Sequence, residues 1–219
     1  MQIVRFAIFL MLLITSLEPR CSAAAASPQP TAFEGTIVAV GDSLTAGLGL
    51  IEKNAYPAQL EMKLRESGMN WRVVNAGISG ETSSGTLSRI NWVLKLKPDI
   101  VILETGANDG MRGTDPAVTK KNIDETVRIL KENNVVVVLA GMRMFTNLGP
   151  AYTRAFADLY PAIARKHKII LIPFFLEGVA GDPKLNQNDG IHPTAEGYRI
   201  ITSSIYPYVE KAIRRKGKS

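Results

Sequence analysis

Four short runs of the chain, Thr36 to Val40, Ile100 to Glu104, Val135 to Ala140 and Ile169 to Pro173, are apolar almost without interruption and rich in β-branched residues. A fifth run, Arg72 to Asn75, is a shorter version of the same pattern. A strand with one wet face alternates apolar and polar residues, whereas an unbroken apolar run belongs to a strand buried on both faces. Between the runs lie stretches with helical spacing. Tyr56 to Ser67 has Pro57 early, Leu60 and Leu64 on one side and Gly68 as its stop. Others span about 83–95, 116–132 and 150–166, and a last one follows His192. Strand and helix alternate throughout, which predicts an α/β domain of about five parallel strands in three α/β/α layers.

The ends differ from this body. Arg5, the apolar run Phe6 to Leu17, Glu18-Pro19-Arg20 and the small-residue stretch Cys21 to Ser27 follow the order of a secretory signal. The apolar run is too short to span a bilayer. Residues 1–26 are therefore expected to be a signal peptide and 27–219 the domain, placed in the periplasm or secreted, with no stable membrane anchor once the signal is removed. The formal charge of +6 also resolves by position. Residues 27–210 hold 19 basic and 19 acidic side chains, while the last nine residues hold five basic ones and no acid. A neutral body gives no reason to expect a nucleic-acid partner. One Cys and two His exclude disulfide frameworks and multi-Cys zinc sites.

In a parallel α/β sheet, ligands bind beyond the carboxyl ends of the strands, so the loops that follow strands carry the information. These are Gly41-Asp42-Ser43-Leu44-Thr45-Ala46-Gly47, Asn75-Ala76-Gly77-Ile78-Ser79-Gly80, Thr105-Gly106-Ala107-Asn108-Asp109-Gly110 and Asn188-Asp189-Gly190-Ile191-His192-Pro193. All four should open on one edge. Ser43 should stand at the start of a helical turn, as a nucleophile or simply as a cap. The Gly-Lys-Ser/Thr ending of a P-loop, the Gly-x-Gly-x-x-Gly fingerprint and the Gly-x-Ser-x-Gly elbow are all missing. Asp189 stands three residues before His192, close enough to accept the Nδ1–H and turn Nε2 toward a serine, although a loop Asp capping the next turn beside an exposed His has the same spacing. His167, between Lys166 and Lys168 with no acid nearby in sequence, is assigned to a solvated surface. The N–H groups of Ser43 and Gly80 and the side-chain amide of Asn108 are candidate donors to an oxyanion, although a turn glycine and an Asx-turn would look the same.

Taken together, the four blocks resemble those of the SGNH, or GDSL, hydrolases, within them the thioesterase I / protease I / lysophospholipase L1 type and its arylesterase relatives. The resemblance runs from about Thr36 to the final helix, and none of the blocks is broken. It implies a flavodoxin-like fold, Ser43, Asp189 and His192 as the catalytic residues, Gly80 and Asn108 beside Ser43 in the oxyanion hole, and no metal or cofactor. The substrate it implies is a small-molecule ester, a thioester or an acyl lipid. Met111, Met144 and Phe145 lie in loops after strands and either line an acyl groove or pack beneath the loops. Short-to-medium acyl or aryl esters are the expectation. A thioesterase or lysophospholipase, a carbohydrate O-deacetylase and a non-catalytic anion-binding domain are the alternatives.

Overall fold

A computed structural model describes residues 32–217; the expected signal peptide, residues 1–26, lies outside them. Five strands, β1 (Gly35–Gly41), β2 (Trp71–Gly77), β3 (Ile100–Glu104), β4 (Val136–Ala140) and β5 (Ile170–Ile172), form one parallel sheet in the order β2-β1-β3-β4-β5. That is the flavodoxin-like order, in which the chain reverses direction between β1 and β3 and opens a crevice there. Every residue of β3 is buried, as are the last five of β1 and the last four of β4. Central strands covered on both faces are what the unbroken apolar runs require.

The helices are α1 (Ser43–Ala46), α2 (Tyr56–Glu66), α3 (Ser83–Ser88), α4 (Ile90–Lys95), α5 (Ala107–Met111), α6 (Pro116–Glu132), α7 (Pro150–His167) and α8 (Ala195–Lys216), with single 3-10 turns at Glu52–Asn54 and Thr146–Leu148. Helix α2 packs against α8, and α6 packs against α3 and α7. Helix α6 shows how local chemistry fixes an element. The Asp115 side chain caps it by accepting the Ala117 N–H at 2.9 Å, and Pro116 opens its first turn. Its buried residues Thr119, Ile123, Thr126, Val127 and Leu130 form one stripe at helical spacing.

Two expectations change. The single helix predicted over about 83–95 is broken at Arg89, which has φ −104° and ψ 7° between α3 and α4. The Arg89 side chain turns inward to the end of β2, and that use of the residue overrides helical continuity. His167 is not a solvated histidine. Its ring is 12% exposed, and Nε2 lies 2.9 Å from Asp124 Oδ1 on α6. The acid is 43 residues away in sequence and was invisible to any local spacing rule.

Two glycines show how tightly the functional edge is packed. A Cβ on Gly41 would lie 2.2 Å from Thr45 Oγ1 and 2.4 Å from Glu104 Oε2, and one on Gly77 would lie 2.2 Å from the Ala46 backbone nitrogen. The ends of β1, β2 and β3 therefore meet α1 with no room for a side chain. Ile102, in the middle of β3 and fully buried, should behave as a core residue. Ile102→Ala is expected to lower the unfolding free energy by about 2–5 kcal/mol in urea denaturation with an unchanged slope; a loss well below this range would contradict the sheet's central placement of β3.

Candidate active site

The first loop sets Ser43 at the start of α1. Asp42 caps that turn, with Oδ1 accepting the Leu44 N–H at 2.9 Å. Ser43 is thus the first helical residue and not the cap. Its Oγ lies 2.8 Å from His192 Nε2, across 149 residues of sequence, and His192 Nδ1 lies 2.7 Å from Asp189 Oδ2. Asp189 Oδ1 accepts the N–H groups of Ile191 and His192, each at 3.0 Å. Those two backbone bonds, with the His192 ring, hold the Asp189 carboxyl down at a pKa of about 2. An ionised Asp189 accepting the Nδ1–H selects the tautomer in which Nε2 is the acceptor nitrogen of the neutral ring, turned toward Ser43, the arrangement of a general base beside a nucleophile.

The loop carrying His192 is pinned from both sides. Gln187 Nε2 donates to the carbonyls of Leu48 (2.8 Å) and Pro193 (3.0 Å), and the Gln187 N–H donates to His192 O at 2.7 Å. Asn186 Nδ2 donates to Val179 O and Asp182 O, at 2.7 and 2.8 Å. Neither residue was singled out by the sequence, because an Asn-Gln pair before a loop reads as ordinary loop composition and the Leu48 carbonyl is 139 residues away.

Gly80 sits in the left-handed region at φ +79°, which favours glycine. Among the described residues no backbone acceptor takes the N–H of Ser43 or of Gly80. Asn108 lies on α5 beside them, but its amide is occupied. Nδ2 donates to Asp42 Oδ2 and to Glu81 O, both at 3.0 Å. Asn108 thereby joins the first, second and third loops.

The Gly80 loop is held by a pair that the sequence reading missed. Arg89 Nε and one terminal nitrogen meet the two Glu81 carboxylate oxygens at 2.6 and 2.7 Å, and the same terminal nitrogen donates to Ala76 O at 2.8 Å. Both side chains are nearly buried, at 13% and 6% exposure. Asp109 ties the second and third loops in a similar way, accepting from the Ser83 N–H at 2.7 Å and the Ser83 hydroxyl at 2.5 Å. An acid directly after Gly80 and another directly after Asn108 were the available signals.

A pocket of about 210 Å³ opens from Ser43 and His192. Met111, Met144 and Phe145 all line it, joined by Met142, Phe174, Leu176 and Ile191. Met144 lies over Gly110, where a Cβ would come within 2.1 Å of its sulfur. Arg143 stands at the same wall with its guanidinium 4.8 Å from the Phe174 ring centre. The described residues include no group of three or more His, Cys, Asp or Glu that could hold a metal ion.

Replacing Arg89 by Ala would leave Glu81 buried without its cation. The variant is expected to lose about 3–5 kcal/mol of stability by urea denaturation, and a loss under about 1 kcal/mol would show that the pair does not hold the loop.

Comparison with known proteins agrees with this edge. The GDSL-like lipase/acylhydrolase family matches residues 39–200. Esterase TesA of Pseudomonas aeruginosa is 40% identical over 173 residues, covering 78% of this chain and 86% of that protein. An arylesterase of Vibrio mimicus is 37% identical over 170 residues, covering 77% and 85%. The crystal structure of AlinE4, an SGNH-hydrolase family esterase, superposes with a TM-score of 0.71 at 43% identity and covers 83% of this chain and 98% of that one. The chain belongs to the GDSL-like lipase/acylhydrolase family, with the SGNH-hydrolase fold, and is an ester hydrolase.

Proposed function

We propose that the chain hydrolyses short-to-medium acyl or aryl esters through an acyl-enzyme on Ser43. The supporting observation is the continuous line of contacts from Ser43 Oγ to His192 Nε2 (2.8 Å) and from His192 Nδ1 to Asp189 Oδ2 (2.7 Å), at the mouth of an apolar pocket. As Ser43 Oγ attacks the acyl carbon, His192 takes its proton and the carbonyl electron pair moves onto oxygen. His192 then gives that proton to the departing alcohol or phenol as the ester C–O bond breaks. A water molecule, deprotonated in turn by His192, releases the carboxylic acid and restores Ser43. Asp189 stays ionised throughout and holds the ring.

The oxyanion is received by the N–H groups of Ser43 and Gly80, which have no backbone acceptor of their own. Asn108 joins them by turning one amide hydrogen from Glu81 O to the oxyanion while keeping its bond to Asp42. Preorganised donors of this kind are worth roughly 10²–10³ in turnover each. Replacing Ser43 by Ala should lower hydrolysis of a p-nitrophenyl ester by about 10³-fold or more with the unfolding midpoint nearly unchanged; undiminished turnover would remove Ser43 from the mechanism.

Met111, Met142, Met144 and Phe145 give the pocket an adaptable apolar wall suited to an acyl or aryl group and poor in the polar groups a sugar would need. This favours ester or acyl-lipid substrates over carbohydrate acetates. Residues 1–26 act as a secretory signal and place the enzyme in the periplasm or outside the cell; no helix among the described residues is long and apolar enough to cross a membrane. In a series of p-nitrophenyl esters from acetate to palmitate, kcat/KM should peak at short-to-medium chains and fall at palmitate, and an optimum at palmitate would contradict the assigned substrate class.

A further inference from the structure

Directly beneath Ser43 lie two buried acids that the reaction does not use. Glu104, the last residue of β3, is fully buried, and Asp42 is 1% exposed. Glu104 Oε2 accepts the Thr45 hydroxyl at 2.9 Å and the Asp42 N–H at 3.2 Å. The other oxygen, Oε1, is buried with no donor reaching it. Each Asp42 oxygen accepts one hydrogen bond, Oδ1 from the Leu44 N–H and Oδ2 from the Asn108 amide, which leaves each able to accept another. The Asp42 N–H bond to Glu104 at 3.2 Å places the two acids side by side in the chain's interior. Among the described residues neither forms an ion pair with a Lys, Arg or His.

We propose that Glu104 is a positioning residue that stays protonated at neutral pH and donates from Oε1 to the Asp42 carboxylate, so that Asp42 can hold the Ser43 turn and the Asn108 amide at once. A proton on Oε1 turns a stranded buried acceptor into a donor, and Asp42, which already touches the Glu104 carboxyl through its N–H, is the neighbouring acid able to receive it. It also leaves one negative charge on the pair, where two adjacent buried anions would repel. The proton belongs on Glu104 because Asp42 already accepts two N–H donors, which favour its ionised form, while Glu104 is the more deeply buried of the two. Burial first, and then the Asp42 charge, push the Glu104 carboxyl well above the ordinary carboxylate range. The other titratable groups facing the pair are the phenols of Tyr56 on α2, Tyr160 on α7 and Tyr198 on α8, all driven upward by burial and therefore neutral, and His192 beyond Asp42.

The inference rests on the acyl-enzyme reading only in its kinetic arm. Glu104→Gln reproduces the neutral donor and acceptor, so its kcat should stay within about threefold of the parent, whereas Glu104→Leu should lose roughly 10–100-fold in kcat with KM little changed. Asp42→Asn should also lose kcat, because Leu44 and Asn108 donate to different oxygens and an amide puts an NH2 donor in place of one of them. Infrared spectroscopy at neutral pH should show a protonated carboxyl C=O band that is absent in Glu104→Gln. A native acid that keeps its proton binds more protons than the unfolded chain above the ordinary carboxylate range, so parent stability falls with rising pH relative to Glu104→Gln. The Tm difference between the two should therefore widen from about pH 5 to about pH 8. Glu104→Gln as impaired as Glu104→Leu, full activity in Asp42→Asn, or the absence of that carboxyl band would each overturn the proposal. If Glu104→Leu does not fold, the Gln variant and the infrared band decide it. A failed Ser43 assignment would show as activity in Ser43→Ala and would leave the infrared and Tm readings unaffected.

Discussion

The arrangement depends on one carboxylate, that of Asp42. It caps the turn that begins at Ser43 and it receives the Asn108 amide from the next loop but one, so the end of β1 and the start of α5 are fixed relative to each other by the same side chain. Buried polar contacts of this kind are costly if unmet and specific if met. The close packing at Gly41 and Gly77 follows from the same need, because a side chain at either would push α1 away from the strand ends that support it. Ser43 is presented on a single turn of helix held from below by Asp42, and the Gln187 bond to Leu48 O ties the end of that segment to the loop that carries His192.

That second loop is built separately. Asn186 and Gln187 tie it to the preceding turns and to the Leu48 carbonyl, and Asp189 fastens His192 through its backbone as well as its ring. The two segments thus meet at a 2.8 Å contact between Ser43 and His192, braced by the Gln187 bond to Leu48 O. The sheet order makes this possible, since the reversal between β1 and β3 opens the crevice at the edge where both segments arrive. Beyond it the Met-lined pocket adds apolar surface on one side only, leaving the polar donors grouped on the other.

Much of the architecture was legible because its signals are local. Unbroken apolar runs predicted the central strands, and the loops after them contained Ser43, Gly80, Asn108, Asp189 and His192, which the fold brings to one edge. What escaped the sequence depends on contacts between distant residues. Arg89 reads as one more helical position in the run 83–95, and only its bonds to Glu81 and Ala76 O explain the break there. His167 looked unpaired because Asp124 is on another helix. Glu104 ends an apolar run as though it were the first polar residue of a loop, whereas it is buried against Asp42. Asn108 was a candidate oxyanion donor from its loop position, but the bonds by which its amide joins Asp42 to Glu81 were not legible.

The central claim is that Ser43 is the nucleophile and His192 the base that activates it. Incubation with an organophosphonate ester, followed by peptide mass spectrometry, tests this most directly. The account predicts one covalent adduct on the peptide containing Ser43, formed in step with loss of esterase activity, absent in Ser43→Ala and strongly slowed in His192→Ala. Complete loss of activity with the adduct on another residue, or adduct formation on Ser43 at an equal rate without His192, would contradict it.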